Sequence, residues 1–140
     1  MRKYAGVLIA GLALLAGAIP VMAHHSFAAE YDSSKPVTMT GAVTKVDWAN
    51  PHVYFFMDVK DEKSGKVTNW AFEMGAPAVL TRSGWRRSSV KVGDLITVTG
   101  TLAKDASNHG NARSVTLTLT GEKLGAGSSE TEAAPAAAAK

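Results

Sequence analysis

The chain has 140 residues, enough for one small domain whose stability must come from an apolar core. It has no cysteine, which excludes disulfide staples, thiolate metal sites, iron–sulfur clusters and thiol catalysis. Arg2 and Lys3 carry two of the three excess positive charges; beyond them 13 basic side chains face 12 acidic ones, so charge gives no reason to expect nucleic acid or an anionic membrane as partner.

The first element in chain order is a secretory signal. Arg2 and Lys3 form a basic start, residues 5–18 are apolar, Pro20 ends any helix, and Val21-Met22-Ala23 offers small residues to a signal peptidase. The run is shorter than the ~20 residues that span a bilayer. Residues 1–23 are therefore expected to be removed, leaving 117 residues in the periplasm or secreted, with no stable membrane insertion. An uncleaved N-terminal anchor is the alternative.

Residues 24–35 form a polar lead-in with Phe27 and Tyr31 as candidate anchors. Residues 36–124 are the folded unit, and their apolar period is mostly two. Residues 37–48 give a first strand, with Gly41 marking a bulge or bend. Asn50-Pro51 breaks it. Residues 53–59 alternate, with Val53, Phe55, Met57 and Val59 on one face and Tyr54, Phe56 and Asp58 on the other. Residues 67–74 give a third strand, with Trp70 and Phe72 sharing a face. Pro77 opens a short helix that Gly84 ends. Residues 95–102 and 112–119 are the fourth and fifth strands, with Val115, Leu117 and Leu119 inward. The tail, residues 125–140, has no large apolar residue and is expected to be disordered.

Five strands with one short helix between the third and fourth predict an all-β fold, a small OB-like barrel. A β-sandwich would need about seven strands. The expected core is Val37, Val43, Val46, Val53, Phe55, Met57, Trp70, Phe72, Leu80, Ile96, Val98, Val115 and Leu117.

The segments Ala23-His24-His25-Ser26-Phe27, Trp48-Ala49-Asn50-Pro51-His52, Thr68-Asn69-Trp70-Ala71-Phe72-Glu73 and Gly84-Trp85 resemble a family of small exported bacterial proteins known as a domain of unknown function. The likeness spans residues 23–125. It implies export and a compact β domain, and it brings no activity, cofactor or catalytic residue.

Three constellations could carry chemistry. Cleavage after Ala23 would make His24 the first residue, with a free amine beside its own ring and that of His25. A third nitrogen from His52 or His109 would complete a nitrogen-rich set suited to Cu(II). Three imidazoles and a carboxylate would suit zinc. The second constellation is aromatic: Trp48, Tyr54, Phe56, Trp70 and Trp85, of which Tyr54 and Phe56 could form an outer platform for a saccharide or small apolar ligand. The third is Arg82, Arg86 and Arg87 around Trp85, a candidate anion clamp.

No nucleophile elbow, His-Glu-x-x-His motif or phosphate loop is present. The expected function is thus a non-enzymatic exported binding protein for copper or another transition metal. The alternatives are a module that binds a small ligand or a periplasmic protein through Trp48, Tyr54, Phe56, Trp85 and Arg86, and a copper-dependent oxidase.

Overall fold

In the computed structural model, which describes residues 27–129, the alternation of residues 53–59 becomes an antiparallel strand buried on one face. Val53, Phe55 and Met57 are buried, and Tyr54 and Phe56 lie half-buried on the other side. In chain order the elements are α1 (Phe27–Glu30), β1 (Tyr31–Asp47), β2 (Tyr54–Lys60), β3 (Val67–Glu73), α2 (Pro77–Arg82), β4 (Leu95–Ala103), β5 (His109–Leu117) and β6 (Lys123–Gly125). The fold is mostly β. One sheet has the order β3-β2-β1-β4-β5-β6, and β3 also pairs with β5 in parallel. The pairings therefore run in a circuit, β1 to β2, β3, β5, β4 and back to β1.

β1 makes this circuit by serving two partners. Residues 36–42 pair with β4, and residues 42–47 with β2. Gly41 sits at the change of partner, where a Cβ would overlap the Asp58 carbonyl and come 2.8 Å from Met57 Cε. The register slips just beyond it, between Val43 and Lys45. The expected bend thus has a steric cause: two neighbouring strands close on one backbone.

All 13 residues of the expected core lie in the main hydrophobic cluster, nine of them buried and Val37, Val46, Trp70 and Leu117 packed against it. α2 begins with Pro77 in its first turn and buries Leu80; Gly84 follows it at φ +92°. A second, smaller cluster joins Phe27, Tyr31 and Ala103.

Several expectations need correction. There are six strands among the described residues, not five, because Lys123–Gly125 pairs with Ser114, Val115 and Thr116. β1 starts at Tyr31, within the expected lead-in. Its first residues escape the strand pattern because Asp32 accepts from the Ser34 backbone and hydroxyl, and the ladder with β4 is irregular between Tyr31 and Pro36. β5 runs from His109 to Leu117, and Leu119 beyond it is exposed, not inward.

The expected disordered tail is ordered at its beginning. Ala126 is fully buried, bridging the Gly75 N–H and the Arg113 carbonyl, and Ser128 donates to Asn111 Oδ1. Small residues are held here by backbone hydrogen bonds, which a count of apolar side chains does not register. The rest of the tail lies outside the described residues, as does the expected signal. No helix among the described residues is long and apolar enough to cross a membrane.

Candidate functional site

The end of β3 carries a carboxylate out of the core and into a second set of contacts. Phe72 points inward and is fully buried. By strand alternation Glu73 must point the other way, yet it is only 4% exposed. What covers it comes from distant parts of the chain. Tyr31, the first residue of β1, donates its hydroxyl to Glu73 Oε2. His52, in the loop that enters β2, places Nδ1 on Glu73 Oε1. Tyr54 is the register partner of Glu73 across β2 and β3.

His109 joins the same group through the parallel pairing of β3 and β5, in which Ala71 faces His109 and Glu73 faces Asn111. Its Nε2 is 3.3 Å from the Tyr31 hydroxyl, and its ring lies 5.5 Å from that of Tyr31 and 6.0 Å from that of Tyr54. On its other side Nδ1 is 3.8 Å from Glu30 Oε1, at the end of α1. Phe27 stacks on Tyr31 at 5.4 Å and so pins α1 over the group. One ligand atom from each of Glu30, Glu73 and His109 lies within 4.8 Å of the others. Ligands 2.0–2.2 Å from a metal sit about 3–3.5 Å apart, so small side-chain rotations would let these three share an ion.

Burial and the neighbouring carboxylates push both phenols well above the ordinary tyrosine range. For Tyr31 the causes are burial first, then the hydrogen bond and charge of Glu73. For Tyr54 they are burial first, then the charge and hydrogen bond of Glu73 and the charge of Glu30. Because the folded phenols hold their protons more tightly, the unfolded chain ionises first, from about pH 10 upward. Their contribution to stability is thus complete below that pH and is lost as the pH climbs beyond it. Urea unfolding should show a falling midpoint between pH 9 and 11. A flat midpoint, with phenolate absorbance rising in the native protein near pH 10, would refute this.

The structure brings His52, His109 and Tyr54 together and separates the other expected site residues from them. Trp85 is buried, and its indole N–H donates to the Gly125 carbonyl at 2.7 Å. It packs the core and offers no face to a ligand, contrary to the expectation. Trp48 is half-buried against the main core. Phe56 carries Lys45 Nζ 5.1 Å above its ring, while the Tyr54 ring lies 6.0 Å from that of His109. Arg82, Arg86 and Arg87 are exposed. His24 and His25 lie outside the described residues.

Sequence reasoning missed Glu30, Tyr31 and Glu73 as members of the site. One signal was available: Phe27 and Tyr31 stood out as anchors, and an aromatic anchor near the chain start needs something to rest on.

A search among curated proteins finds no match to this chain. Residues 12–113 match a family described as a family of unknown function (DUF6152), and the chain belongs to that family.

Proposed function

We propose that this chain is an exported, non-enzymatic metal-binding protein of the periplasm, built on a small OB-like barrel. The barrel reading is supported by the circuit of pairings from β1 through β2, β3, β5 and β4, with α2 between β3 and β4. Export is supported by the basic start, the apolar run and the small residues before His24.

The observation that carries the metal reading is the convergence of Glu30, Glu73 and His109. Two carboxylates and an imidazole favour the late first-row divalent ions, Cu(II) first. His52 steadies Glu73 from the side. The chain itself brings further nitrogen. Phe27 is packed on Tyr31. His24 and His25 precede Phe27 by three and two residues, so the N-terminal donors enter the proposal by sequence. A saccharide or partner platform has less support, because its rings are divided between core, lysine contact and cluster.

The test uses protein purified from the exported fraction. Its intact mass should correspond to a chain beginning at His24. Titration with Cu(II) should give one tight equivalent. His109→Ala should weaken that complex by more than the about 10–100-fold that follows loss of an outer hydrogen-bond partner. Equal copper affinity in wild type and His109→Ala would overturn the site, and a terminus other than His24 would remove the N-terminal donors from it.

A further inference from the structure

The Tyr31 hydroxyl has one proton and two neighbours that could take it, Glu73 Oε2 and His109 Nε2. A carboxylate accepts more strongly than a neutral imidazole, because the bond is charge-assisted. Glu73 is moreover buried and reached through only a few donors, so withdrawing that proton would leave a carboxylate oxygen under-satisfied in the interior. The proton therefore goes to Glu73. Toward His109 the tyrosine oxygen can then only accept, and the 3.3 Å contact requires a hydrogen on Nε2.

A neutral imidazole with its hydrogen on Nε2 has a lone pair on Nδ1. That lone pair is directed to the Glu30 side, where Oε1 lies 3.8 Å away. The separation is too long for a hydrogen bond, and both atoms are acceptors, so with nothing between them they repel. A cation between them turns the same arrangement into attraction.

We infer that the Tyr31 hydroxyl fixes His109 as the Nε2–H tautomer and thereby presents Nδ1, on the Glu30 side, as the nitrogen that takes the metal. This rests on the metal reading given above. Tyr31 is then a positioning residue for two ligands at once. It orients Glu73 by donating to it and His109 by accepting from it, the role that carboxylates and carbonyls fill behind metal-bound histidines elsewhere.

The tautomer can be read without any metal. In uniformly 15N-labelled protein above about pH 8, where the ordinary imidazole is neutral, long-range 1H–15N spectra should show His109 with a protonated Nε2 and a bare Nδ1. Zn(II), which is diamagnetic, should then shift the Nδ1 resonance. Tyr31→Phe keeps the ring on Phe27 and removes the hydroxyl; it should give a mixture of His109 tautomers and weaken Zn(II) binding by about 10–100-fold.

A proton on Nδ1 in the wild type overturns the inference, and so does a Zn(II) shift at Nε2. Tyr31→Phe with the wild-type tautomer also overturns it. If that variant fails to fold, the wild-type Nε2–H proton decides: slow solvent exchange marks it as held by the Tyr31 oxygen, and exchange as fast as in a free histidine overturns the inference. Zn(II) that moves neither nitrogen overturns the metal reading, while a bare Nδ1 in the metal-free wild type that gives way to a mixture in Tyr31→Phe still upholds Tyr31's control of the ring.

Discussion

Trp85→Ala is expected to destabilise the domain by about 3–5 kcal/mol, the range for removing a large buried aromatic side chain. The indole is buried in the main core, the cluster that also holds Leu80, Val90 and Ala126. Its N–H also ties the Gly125 carbonyl, the last residue of β6. Truncation would therefore open a cavity and release the segment that Ala126 and Ser128 hold down.

Small domains have only about 5–15 kcal/mol to lose. In a domain near 100 residues each kcal/mol moves the melting temperature by about 4–8 °C, so the midpoint should fall by well over 10 °C. Trp85→Phe separates the two contributions. It keeps most of the ring and drops the hydrogen bond, and about 1–3 kcal/mol should be lost through the unpaired carbonyl and the smaller volume. Urea unfolding followed by circular dichroism measures both. A loss below about 1 kcal/mol for Trp85→Ala would contradict core packing and return Trp85 to the surface role expected from sequence.

Glu73→Ala should damage stability and metal binding together. Glu73 accepts the Tyr31 hydroxyl on one oxygen and faces His52 Nδ1 with the other, and Tyr54 lies across the ladder from it. Removing the carboxylate takes the charged acceptor from the buried Tyr31 hydroxyl, leaving it only the longer 3.3 Å contact with His109 Nε2, and takes away the partner of His52. Each buried group so stranded costs about 1–3 kcal/mol, with His52, which is partly exposed, at the low end. Cu(II) binding should weaken by more than about 100-fold, because a donor of the proposed site and the anchor of Tyr31 go at once.

Glu73→Gln is the control. It keeps the shape and one acceptor, so it should retain most of the stability while losing the charge that attracts the ion. If Glu73→Ala binds copper like wild type, the ion sits elsewhere. If Glu73→Ala is as stable as wild type, the carboxylate is better hydrated than its burial implies.

The parts legible in the sequence share a physical basis. Val53, Phe55 and Met57 declared their strand because one face of β2 is core, and alternation is the direct record of that. Pro77 and Gly84 marked α2 because each fits one backbone conformation there. β6 was hidden because Lys123–Gly125 is too short to show a period. Ala126 and Ser128 were hidden because their burial comes from hydrogen bonding.

The site divides in the same way. His52 and His109 stood out because histidine is scarce in this chain and versatile as a ligand. Glu73 did not, since its position on β3 points away from the core and such positions are usually solvated. Its burial is created by Tyr31, which is 42 residues away, and by a histidine in a loop. No local pattern encodes cover supplied from that far along the chain.

The seam between β3 and β5 has a kinetic consequence. It consists of three register pairs, Ala71 with His109, Phe72 with Gly110 and Glu73 with Asn111, and it is what holds His109 beside Glu73. Local opening of folded proteins starts where few bonds hold a region. A brief parting of this seam would separate the two donors while the β1–β4 and β4–β5 ladders stay intact. The release of a bound ion and the solvent exchange of the Ala71 amide, which donates to the Asn108 carbonyl at 3.0 Å, would then be two readings of one breathing motion.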